Sequence, residues 1–394
     1  MPGGVVIVGG GIVGSFVAWF LKREGYAGAV RVIERDSSYR FASTTLAVAG
    51  IRTQFACAFN TRMSLFGATM FREIRGWFGP DAEIGFREQG YLIVGPPRAG
   101  DAMRAAAAAQ NALGARIDVL DAAAARARFP WLETGDLGTA SFGLANEGWI
   151  DGWSLLQLVR HAARRLGVEY VEAEATGFDR RGERITGVRI TGPGIATEPA
   201  TTLRCDWCVN AAGAASGRVA ALLGIDLPVE PRKRTVFHVK APVDGRDFPM
   251  LFDDSGVWAR PEGEGFLAGV APDPADDPPA DGDFEPQHAL LEDVVWPRLA
   301  HRIPAFERLR LLRAWAGHYE FNTLDQNGVI GPHDELANLV FATGFSGHGL
   351  MHAPATGRAL AEWIVHGGFR TLDLSALGYA RIRRREPIVE HVVY

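Results

Sequence analysis

Val5-Val6-Ile7-Val8-Gly9-Gly10-Gly11-Ile12-Val13-Gly14 is the stretch on which the fold turns. Val5 to Val8 is an unbroken apolar run of the kind found in a strand buried on both faces. Gly9, Gly11 and Gly14 then fall in the G-x-G-x-x-G spacing, and Ser15 to Arg23 continues with helical periodicity. Val30 to Ile33 reads as a second strand, which completes a βαβ unit and calls for a parallel sheet with covered faces. In such a unit the amides of Gly9, Gly11, Ile12, Val13 and Gly14 open the helix where a pyrophosphate can settle without side chains in the way. Glu34, with Arg35 beside it, ends the second strand at the roughly twenty-residue distance where a carboxylate accepts from a ribose 2′-hydroxyl. A carboxylate there would face a 2′-phosphate, so NADP is disfavoured, while NAD and FAD both stay open.

Outward from this unit, the 394-residue chain is 47% hydrophobic and carries a formal charge of -5. That is enough apolar material for two domains without disulfide or metal support. The charge is mild and dispersed, its densest cluster being Arg383-Arg384-Arg385, which argues against a nucleic-acid partner. Three cysteines suit a reducing compartment, and the sequence shows neither a basic leader nor an apolar run of membrane length, so a cytoplasmic protein is expected. Gly90 to Val94 and Thr235 to Val239 read as strands and Asp101 to Phe129 as one Ala-rich helix. Residues 272 to 286, rich in Pro and Asp, read as a surface loop. The α/β style returns at the end, with a strand over Leu339 to Ala342, a glycine-rich turn and a helix from Leu350 through Ile364. The tail from Ile382 to Tyr394 is expected to be exposed.

Ala342-Thr343-Gly344-Phe345-Ser346-Gly347-His348-Gly349 resembles the closing motif of the D-amino-acid oxidase superfamily of FAD-dependent oxidoreductases, which includes sarcosine oxidase and dimethylglycine dehydrogenase. The resemblance extends through Asn146-Glu147-Gly148-Trp149, Asn210-Ala211-Ala212-Gly213-Ala214, Val229 to Arg234, Trp315-Ala316-Gly317 and Asn322 to Gly328. Within the superfamily the chain is most similar to a branch that includes a mitochondrial complex I assembly factor. The resemblance implies FAD in an extended form, an α/β and α+β fold with a Rossmann-like FAD-binding domain, and an interleaved substrate domain on a mixed, largely antiparallel sheet. The division it implies assigns 1–85, 145–226 and 323–394 to the FAD-binding domain and 86–144 and 227–322 to the substrate domain. It places Ser43, Thr44, Gly50 and Ile51 along the flavin and ribityl chain, Ala175 at the adenine, and Ala212 and Gly213 at the pyrophosphate.

The closing motif has a physical reading of its own: a strand ends in glycines and a helix begins, leaving unpaired amides at a positive dipole end. The amides of Gly347, His348, Gly349, Leu350 and Met351 would then face the flavin pyrimidine edge, where a reduced ring is anionic. The implied reaction is oxidation of a C–H beside an amine of a small amino acid or N-methyl amine. FAD accepts the hydride, and no metal is required. Arg52 matches the arginine that holds the substrate carboxylate in sarcosine oxidase, against the alternative of a structural ion pair. His318 and Tyr319 are substrate-pocket candidates, and His348 is a candidate acid/base or a spacer between glycines. Arg260 shares a strand face with Trp258 and is read as structural.

Three departures from the family pattern qualify this picture. Met351 stands where a lysine would add a second carboxylate contact. Leu267 stands where a lysine promotes reaction with oxygen, which favours a dehydrogenase over an oxidase. Ala47 replaces a flavin-linked histidine, so noncovalent FAD is expected. These departures leave room for the alternative that the chain is chiefly an assembly or partner-binding flavoprotein; the electron acceptor is open in either case. Cys205-Asp206-Trp207-Cys208 has C-x-x-C spacing but lies in a strand, where positions three apart face opposite sides, so no metal or redox role is expected.

Overall fold

The computed structural model describes residues 4–195, 201–280 and 282–390. The first sheet contains β1 (Gly4–Val8), β2 (Val30–Glu34), β8 (Glu169–Glu172), β11 (Thr201–Asn210), β17 (Val329–Pro332) and β18 (Leu339–Thr343), in the order β17-β18-β11-β1-β2-β8. From β18 to β8 these strands run parallel. A hairpin of β9 (Glu174–Arg181) and β10 (Arg184–Thr191) joins through β10, antiparallel to β11. The second sheet contains β4 (Tyr91–Gly95), β5 (Arg116–Asp121), β6 (Thr139–Ala145), β12 (Val229–Lys240), β13 (Met250–Phe252), β14 (Val257–Glu262), β15 (Gly265–Val270) and β16 (Arg310–Asn322). Its order is β16-β12-β15-β14-β13-β4-β6-β5, antiparallel except between β13 and β4. A two-stranded ladder of β3 (Gly50–Ile51) and β7 (Gly148–Trp149) lies apart from both.

The helices are α1 (Ile12–Arg23), α2 (Ser43–Leu46), α3 (Ala58–Arg72), α4 (Ile74–Phe78), α5 (Gly100–Ala112), α6 (Ala122–Arg128), α7 (Gly152–Arg165), α8 (Ser216–Ala221), α9 (Trp296–Arg302), α10 (Gly349–His366) and α11 (Tyr379–Arg384). Strand alternation divides β1 between two cores: Val5 and Ile7 pack with α1, α3 and α10, while Val6 and Val8 pack with Ile33, Cys208 and Phe341. Helix α10 is clamped between α1 and α3 through two glycines. A Cβ on Gly357 would lie 2.7 Å from the Phe16 carbonyl carbon, and one on Gly67 would lie 2.4 Å from the Met351 oxygen. No side chain fits at either crossing. Among the described residues, no helix is long and apolar enough to cross a membrane, and no group of His, Cys, Asp and Glu is arranged to hold a metal.

Three sequence expectations are corrected. Asp101 to Phe129 is a helix, a strand and a second helix (α5, β5 and α6), because Gly114, at φ +100°, reverses the chain and Asp121 caps the second helix at Ala124. Cys205 and Cys208 do not face opposite sides, since the register between β1 and β11 slips at Asp206 and both thiols enter one core cluster. Burial pushes Cys205 up to about 12 and raises Cys208 as well, so neither is a thiolate. The tail is not free: Ile382 is buried, and Glu390 accepts hydrogen bonds from the amides of Ala56 and Cys57 and from Asn60, at the start of α3. Residues 391–394 of that tail lie outside the described residues.

Candidate functional site

The site begins at the fingerprint. Gly9 adopts φ +105°, and a Cβ there would lie 2.2 Å from the Ala211 oxygen; one on Gly14 would lie 2.0 Å from the Gly9 oxygen. These two glycines let the strand-helix turn close on itself. Gly11 and Gly213 differ, because the nearest atom to a Cβ on Gly11 is Thr44 Oγ1 at 3.5 Å and nothing lies within 4 Å at Gly213. Ala211 donates to the Val8 carbonyl, so Ala212 packs against Gly9 at the ends of β1 and β11, with space in front of Gly213. Ile12 donates to Thr44 Oγ1 at 3.2 Å, which brings α2 onto the start of α1, the Val13 turn included. Glu34 accepts from the amides of Gly10, at 2.9 Å, and Asp36, at 3.1 Å. Burial raises its pKa, and those two amides pull it back. Arg35 is exposed beside it, and Ala175 lies two residues past Ala173, whose amide donates to the Glu34 carbonyl.

A wall of α2 and β3 runs on from there. Ser43 Oγ donates to the His318 carbonyl at 2.7 Å, and Trp315 Nε1 donates to the Leu46 carbonyl at 3.0 Å. These bonds seat β16 on α2. Thr45 Oγ1 is buried with no hydrogen-bond partner among the described residues, so the wall offers a polar atom to something else. Gly50 leaves room for the Tyr91 hydroxyl, which would meet a Cβ at 1.8 Å, and Ile51 is fully buried next to it. Arg260 donates from Nε to the Val48 carbonyl at 3.0 Å, pairs with Glu262 and lies over the Trp149 ring. Its role is to hold this wall.

The far end is built around Arg52, which is 3% exposed and donates from Nη2 to His348 Nε2 at 2.9 Å. The guanidinium also lies over the Phe55 ring at 4.3 Å. Since Nε2 accepts, the His348 proton resides on Nδ1. Burial and then the Arg52 cation hold His348 well below the ordinary imidazole value, and His352, bonded to Ser64, is pushed down to about 3 for the same reasons. Both rings are neutral at pH 7. Behind Arg52, the fully buried Glu147 accepts from Thr53 N at 2.6 Å, Thr53 Oγ1 at 2.7 Å and Gln54 Nε2 at 2.8 Å. Gln54 in turn accepts from Ser141 on β6. This network ties the Arg52 loop to the second sheet.

His348 caps α10, and among the described residues no acceptor faces the amides of Gly347, Gly349, Leu350 or Met351. The Leu350 and Met351 side chains lie in the core, so only their backbones face the site. Tyr319 lies across Gly347, where a Cβ would be 2.5 Å from its ring, with the Arg234 guanidinium 4.9 Å from the same ring. His318 does not join it. Neighbouring residues on a strand face opposite sides, and its ring stacks on Phe284 at 4.1 Å while Nε2 donates to the Asp283 carbonyl at 2.6 Å. Arg52, Tyr319 and His348 therefore converge, and His318 faces the 272–286 loop. Sequence reasoning missed Glu147 and Glu320; the second accepts from Thr343 Oγ1 at 3.0 Å and Gly344 N at 3.2 Å. The available signal was an acid set beside glycine or aromatic residues, Gly148 and Trp149 for the first and Tyr319 and Phe321 for the second.

Residues 4–363 match the family of FAD dependent oxidoreductases. The chain belongs to that family, which also bears the name DAO. It is 41% identical to FAD-dependent oxidoreductase domain-containing protein 1 of Xenopus laevis, over 98% of this chain and 84% of that protein. It is 28% identical to a 4-methylaminobutanoate oxidase of Paenarthrobacter nicotinovorans over 95% of this chain, which amounts to 45% of that longer protein. The L-proline dehydrogenase of P. horikoshii has the same fold, with a TM-score of 0.85, 26% identity and coverage of 98% of this chain and 99% of that one. The protein is an FAD-dependent oxidoreductase, and its site fits the cofactor. The open side of Gly11 and Gly213 and, unpartnered among the described residues, the Thr45 hydroxyl and the amides at the start of α10 form one line from Glu34 to Arg52.

Proposed function

We propose that this FAD-dependent oxidoreductase oxidises a C–H bond next to the amine of a small amino acid or N-methyl amine, as a dehydrogenase rather than an oxidase, with FAD held noncovalently. Arg52 carries the reading. It is a buried cation at the end of the cofactor line, and its planar fork suits a carboxylate. The protein's part is to place the donor carbon, keep water out and provide a charge for the carboxylate, while bound FAD supplies the two-electron acceptor. Neutral His348, proton on Nδ1, orients Arg52 and can accept a proton from a substrate ammonium after an exchange of partners. Proline and 4-methylaminobutanoate, in the names of two relatives, are both secondary amines carrying a carboxylate.

Leu267 supports the dehydrogenase assignment: it is 3% exposed, pairs across the sheet with Arg260 and brings no cation to help oxygen. A second reading, an assembly or partner-binding flavoprotein, is favoured by the similarity to domain-containing protein 1 and by Leu311 and Leu312. These residues are 42% and 53% exposed on the edge strand β16. The test follows the flavin spectrum of the FAD-loaded protein without oxygen as sarcosine, dimethylglycine, proline and D-amino acids are added. Bleaching by one of them, with slow recovery in air, is expected. A flavin that all of them leave oxidised transfers the weight to the second reading.

A further inference from the structure

Glu320 is an acid that the reaction outlined above does not use. It sits near the end of β16, where Oε2 takes both hydrogen bonds, from Thr343 Oγ1 and Gly344 N. Oε1 takes none among the described residues, and a Cβ on Gly349 would lie 3.0 Å from it, at the first residue of α10. The carboxyl is therefore held against the positive end of an 18-residue helix whose first amides are open toward the cofactor line. The residue as a whole is half-buried, with its carboxyl on the buried side.

Its charged surroundings explain why it is free to change state. Arg232 on β12 pairs with Glu230 at 2.8 Å, and His348 before α10 is neutral and engaged with Arg52. Thr343 passes its contact on to Ser216 of α8, which also carries Arg218. No ion pair joins Glu320 to a cation among the described residues. Without one, burial raises the carboxyl to about 7, against the pull of the Thr343 and Gly344 donors.

We propose that Glu320 is a proton-holding group of the cofactor cradle, taking up a proton from solvent when bound FAD is reduced. The balance is simple. A hydride equivalent, two electrons with one proton, adds one negative charge to the cofactor near the start of α10, and one proton bound by Glu320 cancels it. A negative carboxylate and a negative reduced ring would otherwise compete for one dipole end. The inference rests on FAD binding alone and stands whether or not an amine is the substrate.

The experiment is an anaerobic redox titration of the FAD-loaded protein between about pH 5 and about pH 9, following the flavin spectrum of wild type and E320Q. For a two-electron couple, each proton taken up contributes an equal step to the slope of midpoint potential against pH. Wild type should show a window around neutrality in which the slope is about double that of E320Q, whose slope should stay single throughout. Equal slopes at every pH would overturn the proposal. Should E320Q lose FAD, T343V replaces it: one donor to Oε2 is gone, the carboxyl is easier to protonate, and the steep window moves to higher pH. A window that stays in place in T343V would also overturn it.

Discussion

Replacing Arg52 tests the proposed substrate chemistry most directly. A guanidinium holding a carboxylate through two charge-assisted hydrogen bonds contributes about 1.5–3 kcal/mol per bond. At 3% exposure solvent screens little of this, so R52A should cost about 3–4 kcal/mol, or roughly 10²–10³-fold in the rate of flavin reduction per substrate concentration. R52K keeps a charge but not the fork and should lose about tenfold. The assay is anaerobic stopped-flow reduction of FAD by the best amino acid from the panel and, in parallel, by the same amine without its carboxylate. The loss should be confined to the amino acid, with the decarboxylated amine changing less than about threefold. The reasoning also fixes a pH effect. Arg52 is one of the groups holding His348 down, so in R52A the His348 pKa rises and an acidic limb appears in the rate profile, where the protonated ring no longer accepts. If R52A slows both compounds equally, or leaves the amino acid within about tenfold of wild type, Arg52 does not bind the carboxylate.

Other consequences follow from the packing. G14A, with a Cβ 2.0 Å from the Gly9 oxygen, should fail to fold, whereas G11A should fold and bind FAD at least about tenfold more weakly by equilibrium titration. E147A leaves the Thr53 and Gln54 donors without an acceptor and should cost about 3–5 kcal/mol in denaturant unfolding, with E147Q losing about half as much. The Glu147 pKa is raised, chiefly by burial, so its contribution is full below the ordinary glutamate value and fades as pH rises through the folded one; the gap between wild type and E147Q should narrow in that direction. E390Q removes a charge from the start of α3 and should lower stability by about 0.5–2 kcal/mol, with faster exchange at Ala56 and Cys57 and an unchanged flavin spectrum.

What could be read from the chain in advance was local. The fingerprint, Glu34, the last strand and the helix after it declare themselves because spacing in sequence equals spacing in the unit they form. Asp101 to Phe129 misled because alanine favours helix so strongly that the stop at Leu113-Gly114 and the alternation of Ile117 and Val119 were outweighed. The cysteine pair misled because parity along a strand assumes no bulge, and only the β1 partner reveals the one at Asp206. Tyr319 and His318 were grouped because they are neighbours, although a strand sends neighbours to opposite faces. Glu147 and Glu320 acquire meaning only from residues distant in sequence: Thr53 and Gln54 for the first, Gly344 and Gly349 for the second.

The clamp of α10 between α1 and α3 also bears on how the protein is made. Helix α1 leaves the ribosome roughly 330 residues before the helix that covers it. At about 5–20 residues per second, the apolar surface of α1 and the fingerprint beside it wait on the order of 20–60 s for their cover. During that interval Phe16, Val17 and Phe20 have no native roof, so the nascent chain is a client for chaperones and a target for proteases. FAD cannot be held by its full set of partners early either, because the α10 amides follow the fingerprint by roughly 330 residues.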